Sequence, residues 1–235
     1  MSWLGDVRFG GDFIVFSGRA GVNVSHQFPA AVLLVGRHGD VTIFDGVGEP
    51  VSAPALLLSP MTVHQVAAAQ DLGIVFFHNY SRFSSAMLGS RPEGTPRPGV
   101  RALLRDELPV RSPSDVVRLS SEVDAVGSRP RVHPVVTALL DRVSEAPGRT
   151  TMQQLADEMS ISTSWLRELV ARELGAPMSG WLLWRKTELA GAALARGASL
   201  AEAAVMGGFA DQAHFTRSLK RQLGIVPSQA AAVLR

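Results

Sequence analysis

The sequence predicts an α+β chain with a β-rich N-terminal domain of the barrel type, a helical linker and an all-helical C-terminal domain. Short apolar runs recur about every ten residues over the first third of the chain, a pattern typical of strands. The apolar period then becomes helical, and a helix pair is duplicated near the C-terminus. The 235 residues, 46% of them hydrophobic, are enough for two cores. The predicted domains are residues 1–98, 99–129 and 130–235.

The β-rich domain is predicted from seven apolar or alternating runs separated by turn-forming clusters such as Gly10-Gly11 and Asp45-Gly46. A sandwich or barrel of such strands closes two apolar faces on each other, which leaves a lumen for a small ligand. The runs cover residues 13–16, 22–26, 31–35, 41–44, 55–58, 63–67 and 74–77.

The linker begins after a segment rich in proline and glycine at 89–99. Its apolar residues recur at intervals of 3, 4 and 3, which places them on one helical face, with Ser114 as the N-cap. This seam either pairs with its twin in a homodimer or packs on its own β-rich domain, and both alternatives stay open. The seam residues are Val116, Leu119, Val123 and Val126.

The C-terminal domain contains an internal repeat, in which residues 152–175 align with residues 200–224. Each copy predicts a short helix, a tight turn and a second helix that begins at an N-cap, Ser162 or Asp211. A glycine stands where each second helix ends, Gly175 or Gly224. Two helices joined in this way form a helix-turn-helix motif, whose second helix enters the DNA major groove.

The two copies flank a long amphipathic helix predicted at about 179–196. The stretch GFADQAHFTRSLKRQLGIVPSQ at 208–229 resembles the second motif of the AraC/XylS family of bacterial regulators, and the resemblance covers about residues 130–235. It implies that a linker helix holds two recognition helices in adjacent major-groove segments, about 34 Å apart. The chain departs from the family pattern at six positions, which predicts looser packing of the second unit. These are Lys186, Thr187, Ala203, Leu219, Val226 and Ala230.

The charge distribution agrees with DNA binding. Residues 127–235 hold 13 basic against 9 acidic side chains, whereas residues 1–126 hold 10 against 12. A basic C-terminal part suits phosphate binding, although a solvated charged face would have the same composition. The predicted DNA-contacting residues are those that the apolar stripes leave outside. They are Thr163, Ser164, Arg167, Glu168 and Arg172 in the first unit, and Gln212, Ala213, Thr216, Arg217, Lys220 and Arg221 in the second.

Individual roles follow from side-chain chemistry. Arginine pairs bidentately with guanine and glutamine with adenine, which assigns base contacts to Arg167, Arg217 and Gln212. Glu168 either accepts from a cytosine amino group or pairs with Arg172 four residues on. Lys220 and Arg221 are predicted phosphate contacts. The family resemblance implies that the positions of Ser164, Arg167, Gln212 and Arg217 face bases.

In the resembled family a cupin-type barrel often precedes the DNA-binding domain, and it binds an effector or mediates dimerisation. Residues 56–64 are similar to the loop-and-histidine segment of such sensor barrels. His26 and His64, at the ends of predicted strands, either hydrogen-bond an effector or are ordinary barrel histidines. With His38 and His78 they form no His-x-His pair, and no glutamate is suitably placed, so no metal, cofactor or catalytic site is predicted. The absence of cysteine excludes disulfides and thiolate metal sites.

The sequence therefore predicts a sequence-specific DNA-binding transcription regulator that responds to a small molecule, and not an enzyme. One alternative is a regulator whose barrel only dimerises, and another is a cupin-type enzyme with a DNA-binding appendage. The start of the chain lacks a secretory pattern and no apolar run reaches about 18 residues, which predicts a cytoplasmic protein with no membrane partner. The expected partners are double-stranded DNA, a small-molecule effector, a second copy of the chain, and RNA polymerase if transcription is activated.

Overall fold

A computed structural model describes most of the two domains. The described residues are 3–10, 13–21, 23–78, 99–103, 115, 118, 132–145, 151–226 and 229–230. Within them, nine strands precede six helices. No helix in these ranges combines the length and the hydropathy that a membrane crossing needs.

The strands form two sheets. The larger described sheet has the order β1-β2-β8-β3-β6-β9 and the smaller has the order β5-β4-β7, and every neighbouring pair is antiparallel. The strands are β1 (Leu4–Phe9), β2 (Phe13–Ala20), β3 (Ala31–Gly36), β4 (Val41–Asp45), β5 (Pro50–Ala53), β6 (Ala55–Leu58), β7 (His64–Val66), β8 (Ala69–Phe77) and β9 (Val100–Leu103).

Strand β3 shows how the sequence determines the position of the core. Its run of apolar residues is buried throughout because β8 and β6 flank it on either side. Successive side chains of a strand point to opposite faces. Val32 and Leu34 join the core shared with the smaller sheet, while Leu33 and Val35 belong to a second cluster on the opposite face.

The described strands correct several details of the sequence prediction. The sheets do not close into a barrel, because β1 and β9 lie at opposite ends of the larger described sheet. Of the predicted run 22–26, the described residues 23–26 do not form a strand; His26 forms an isolated bridge with His64. Strands β1, β5 and β9 were not predicted, because short strands at sheet edges bury little and carry a weak alternation.

Strand β9 also bears on the predicted linker. It lies within the 99–129 segment that was assigned as helical, yet it pairs along its length with β6 and extends the larger sheet. The four residues that form the predicted dimerisation seam, Val116, Leu119, Val123 and Val126, lie outside the described residues. Their role stays a prediction.

The helical domain is built on two cores that share one helix. Its helices are α1 (Pro134–Glu145), α2 (Met152–Glu158), α3 (Thr163–Leu174), α4 (Met178–Ala195), α5 (Leu200–Met206) and α6 (Gln212–Leu223). The N-terminal part of α4 buries Met178 and Trp181 against α1, α2 and α3, whereas Ala190 and Ala193 pack with α5 and α6. Helix α4 therefore fixes the two helix pairs relative to each other.

Candidate functional site

The first helix pair has well-capped ends. Thr151 Oγ1 accepts from the backbone N–H of Gln154 at 3.2 Å, and Gln154 Oε1 accepts from the N–H of Thr151 at 2.9 Å, which completes a capping box before α2. Ser162 caps α3 by accepting from the N–H of Trp165 at 3.1 Å. Gly175 ends α3 with a left-handed φ of 67°. The predicted N-cap and helix end are both confirmed.

The second helix pair repeats this plan. Ser199 and Glu202 form the capping box of α5, and Asp211 caps α6 by accepting from the N–H of His214 at 2.6 Å. Gly224 ends α6 with a φ of 65°. The turns between the paired helices also match, because Ser160 and Gly208, 48 residues apart, both have a left-handed φ, of 55° and 75°. The duplication therefore extends to backbone conformation.

The predicted DNA-contacting residues lie on the outer faces of α3 and α6. Only Thr163 and Thr216 are half-buried, and the Thr163 hydroxyl donates to Gln153 Oε1 at 2.9 Å. Contacts between these side chains and DNA stay predictions. The exposed members are Ser164, Arg167, Glu168, Arg172, Gln212, Ala213, Arg217, Lys220 and Arg221.

Two contacts with neighbouring residues add detail to the exposed faces of α3 and α6. Of the two alternatives for Glu168, the ion pair with Arg172 does not form; Arg172 Nε instead lies 3.6 Å from Oε1 of the adjacent Glu173. Glu168 is exposed and forms no ion pair among the described residues. His214 is half-buried and contacts the buried Phe209 edge-on, with ring centroids 5.3 Å apart.

Helix α4 contacts the second helix pair through two of the residues that depart from the family pattern. Lys186 Nζ donates to the backbone carbonyl of Gly208 at 2.9 Å, in the turn before α6. The Thr187 hydroxyl lies 2.7 Å from Oε1 of the buried Gln222. Ala203, Leu219 and Ala230 are buried in the same core. Whether the second unit packs more loosely stays a prediction.

A cavity of about 120 Å³ lies where the β-rich domain meets the helical domain. Its wall is largely aromatic: the ring centroids of Phe28 and Phe76 are 4.8 Å apart, and Trp184 of α4 packs 5.3 Å and 5.6 Å from them. Both domains contribute to the wall. Apolar residues that complete it include Phe16, Val32, Leu34 and Ile74 from the sheets and Leu219 and Leu223 from α6.

His26 and His64, the two histidines proposed from sequence, lie together in this cavity wall. Their backbones exchange two N–H···O bonds of 2.9 Å, and their ring centroids are 4.5 Å apart. Burial and then the nearby His64 lower the pKa of His26 to about 3, and burial also lowers the pKa of His64. Both rings are therefore neutral near pH 7, with Nδ1–H donating to the carbonyls of Val24 at 2.8 Å and Thr62 at 2.9 Å.

Four polar residues of the cavity wall were not identified from sequence: Asn23, Trp184, Thr187 and Glu188. Asn23 stood inside a run predicted as a strand, and a polar residue in an apolar run is the one signal that marked it. The other three lie on α4, which the sequence assigned only to the helical domain. No spacing rule reveals that one face of this helix packs on a sheet more than 100 residues away.

Residues 155–232 match a family model described as a helix-turn-helix domain. The matched range begins within α2 and extends past α6, so it covers both helix pairs. The chain carries an AraC-type helix-turn-helix domain. No curated protein matches the chain in sequence.

Solved structures resemble the chain over nearly its whole length. ToxT from Vibrio cholerae O395 has a TM-score of 0.60 at 11% identity, over 94% of this chain and 98% of that chain. ToxT O395 bound to (E)-4-(8-methylnaphthalen-1-yl)but-3-enoic acid gives 0.64 at 11% identity, over 95% and 100%. Wild-type ToxT of V. cholerae strain SCE256, bound to an unsaturated fatty acid, gives 0.59 at 10%, over 95% and 96%. This likeness shows a shared two-domain fold.

The AraC-type domain is joined to the β-rich domain by polar contacts beside the cavity. Nε2–H of the buried His78 donates to Glu188 Oε1 at 2.8 Å, and Arg185 donates to the other carboxylate oxygen. The backbone N–H of Val24 donates to the carbonyl of Gly224 at 3.0 Å. These contacts connect both α4 and the end of α6 to the β-rich domain.

The described histidines and carboxylates do not gather into a metal site. His38 Nε2 lies 3.2 Å from Asp71 Oδ2 on the surface, where both side chains are solvated, unlike the buried His26, His64 and His78. Across the described ranges, no three side chains of His, Cys, Asp or Glu come together in a way that could hold a metal ion.

Proposed function

We propose that the protein is a sequence-specific DNA-binding transcription regulator whose DNA affinity responds to a small molecule bound in the interdomain cavity. The observation that carries the proposal is the pair of capped, outward-facing recognition helices, α3 and α6, held by the single helix α4. An AraC-type helix-turn-helix domain of this kind supports DNA binding.

The exposed faces of the two helices offer complementary chemistry to DNA. Arg167 on α3 and Arg217 on α6 supply guanidinium groups for guanine, and Gln212 supplies an amide for adenine. Lys220 and Arg221, in the last turn of α6, supply the positive charge that neutralises phosphates and positions the helix.

The cavity supports the sensing half of the proposal, because its wall belongs to both domains. An occupant contacts Trp184 and Leu219 of the AraC-type domain together with Phe28 and Phe76 of the β-rich domain. It therefore binds with different free energies to docked and undocked arrangements of the domains, and such a difference shifts their populations. The ToxT structures bound to an unsaturated fatty acid and to a naphthalenyl butenoic acid support small-molecule binding in this fold.

The experiment that tests the proposal is selection of bound sites from random double-stranded DNA with the purified full chain at moderate salt. We expect a consensus sequence to emerge, and its enrichment to disappear for the double variant Arg167→Ala/Arg217→Ala. Circular dichroism and thermal unfolding of the variant serve as the folding control, because both side chains are exposed. Recovery of no consensus by the wild-type chain contradicts the proposal.

A further inference from the structure

Strand β1 leaves one edge of the larger described sheet open. Strand β2 pairs with β1 on one side, and no described strand lies on the other. The apolar side chains at its two ends, Leu4 and Phe9, are 59% and 36% exposed. An edge strand offers unpaired N–H and C=O groups to another strand, and exposed apolar side chains on it favour such pairing.

The hairpin that joins β1 to β2 determines which backbone groups of β1 point outward. The N–H of Gly10 donates to the carbonyl of Phe13 at 2.8 Å, so these residues form a hydrogen-bonded pair at the end of the ladder. Hydrogen-bonded and non-hydrogen-bonded pairs alternate along an antiparallel ladder. In the observed register, the residues of β1 that direct N–H and C=O away from β2 are therefore Gly5, Val7 and Phe9.

Two opposite charges lie on one face of this edge. Val7 packs against the core shared with the smaller sheet, and side chains alternate between the faces of a strand, so its neighbours Asp6 and Arg8 lie on the opposite face. Both side chains are exposed, and neither forms an ion pair with a described residue. Because the two charges flank Val7 symmetrically, the edge is complementary to a copy of itself.

Antiparallel pairing of β1 with a second copy satisfies the backbone and the charges in one register. Residues that point outward must face each other, so odd-numbered residues pair with odd-numbered ones. With Val7 opposite Val7 of the second copy, Asp6 and Arg8 of each copy face Arg8 and Asp6 of the other. Phe9 then faces Gly5, where no side chain obstructs the ring. Sliding by two residues either way sets Asp6 against Asp6 or Arg8 against Arg8, and like charges directly opposite are destabilising.

We propose that a second copy of the chain pairs with β1 edge to edge, which forms a two-fold symmetric homodimer held by main-chain hydrogen bonds and two reciprocal Asp6–Arg8 ion pairs. Both copies use the same surface, as a two-fold interface requires. Contact between two strands buries less than the roughly 1,600 Å² of a standard interface, so we expect a dissociation constant on the order of 10 μM. This edge is separate from the predicted seam at 116–126.

Sedimentation equilibrium of the full chain tests the pairing with two charge-reversed variants. Asp6→Arg sets an arginine against Arg8 of the second copy, and Arg8→Asp sets an aspartate against Asp6. We expect each variant alone to associate at least about tenfold more weakly than the wild type. In an equal mixture of the two variants, opposite charges face each other again, and we expect association close to that of the wild type.

The controls separate a specific interface from misfolding or a change in net charge. Glu49→Arg makes the same change of charge as Asp6→Arg at an exposed position outside β1, so we expect wild-type association. Circular dichroism and thermal unfolding check that each variant is folded. Recovery of association in the mixture also requires that both charge-reversed chains are folded.

Disulfide cross-linking tests the register, because the chain has no cysteine of its own. In Val7→Cys the two thiols meet at the two-fold axis, where opposed Cα atoms are about 5.5 Å apart, within disulfide range. In Leu4→Cys the two thiols are about six residues, or about 20 Å, apart along the paired strands. We expect oxidation to cross-link Val7→Cys rapidly and Leu4→Cys far more slowly, although Leu4 is the more exposed.

Three results would overturn the proposal. The wild-type chain could stay monomeric at about 200 μM, well above the expected dissociation constant. Asp6→Arg could associate as strongly as the wild type, which would place any interface elsewhere. Leu4→Cys could cross-link faster than Val7→Cys, which would reject the register. None of these measurements involves DNA or a small molecule, so the proposed regulator function is judged separately.

Discussion

At the scale of single residues, Arg217 is the side chain on which base recognition by the second helix depends most. It is exposed on α6, on the face away from the core residues Phe215 and Leu219. We expect Arg217→Ala to cost about 1–3 kcal/mol of binding free energy on the selected site, because a bidentate contact to guanine is lost. Fluorescence anisotropy with the selected duplex and with a scrambled duplex measures the difference.

The matched control for Arg217→Ala is Arg196→Ala. Arg196 is also exposed but follows α4, outside both recognition helices, so its loss is expected to leave the preference for the selected duplex unchanged. Equal losses of affinity on the selected and scrambled duplexes in Arg217→Ala would show that this arginine contacts phosphate only.

The buried pair of His26 and His64 predicts a pH dependence of stability. The pKa of His26 falls from 6.5 to about 3 on folding, and that of His64 also falls. Between these values the unfolded chain binds more protons than the folded chain, so the free energy of unfolding decreases as the pH falls below about 6.5. Each histidine contributes a slope of at most about 1.4 kcal/mol per pH unit. Urea unfolding at several pH values measures this slope.

The variant His26→Phe tests that origin, because it removes one titrating ring and keeps an aromatic side chain beside Phe28. We expect the slope between about pH 6 and pH 4 to become shallower. His38→Asn is the control, since His38 is solvated on the surface. An unchanged slope in His26→Phe would mean that other groups cause the acid sensitivity.

At the scale of elements, the two recognition helices differ in charge. Helix α3 has two arginines and two glutamates, whereas α6 has Arg217, Lys220 and Arg221 and no acidic residue. We expect Lys220→Ala/Arg221→Ala to lower the slope of log affinity against log salt by about two, because about one counterion is released for each phosphate contact. Titrations of a DNA duplex at several salt concentrations measure the slope.

Arg172→Ala provides the comparison for the salt experiment. Arg172 lies in the last turn of α3 beside Glu173, so we expect its removal to change the salt dependence less than the loss of either α6 cation. A larger effect of Arg172→Ala than of Lys220→Ala/Arg221→Ala would make α3 the main phosphate-binding helix.

The elements that the sequence predicted well are those specified by local chemistry. Ser162 and Asp211 cap their helices through hydrogen bonds to residues three positions on, and such short-range patterns are readable in one sequence. Strands β1 and β9 were missed because their pairing partners, and not their own composition, define them. A four-residue strand such as β9 has too few side chains to show an alternation.

At the scale of the whole molecule, Gly224 both ends α6 and contacts the β-rich domain. It has a left-handed φ of 65°, and a Cβ there would lie 2.3 Å from the carbonyl oxygen of Val24 in the β-rich domain. We expect Gly224→Ala to destabilise the protein by more than the roughly 1–2 kcal/mol of left-handed strain, because the domains must also separate. Thermal unfolding and amide exchange at Val24 measure both effects.

The variant Gly197→Ala measures the cost of backbone strain in the absence of a contact between the domains. Gly197 also has a positive φ, of 91°, but a Cβ there would meet open space. We expect a smaller loss of stability and no change in amide exchange at Val24. Equal behaviour of the two variants would show that docking at Gly224 contributes nothing to stability.

The interdomain site was the part least accessible from sequence. His26 and His64 were identified because histidines at strand ends are chemically distinctive. Their pairing, the cavity and the partner Trp184 depend on contacts between distant segments, as does the bond from His78 to Glu188, 110 residues away. Apolar and aromatic residues on α4 predict burial, but their spacing does not say which surface buries them.

The central claim is that two recognition helices, both packed on α4, contact DNA together. Hydroxyl-radical footprinting of the full chain on its selected site tests this most directly. We predict two protected segments on one face of the duplex, about one helical turn apart, with Arg167→Ala weakening one segment and Arg217→Ala the other. A single protected segment, weakened only by Arg217→Ala, would contradict the claim.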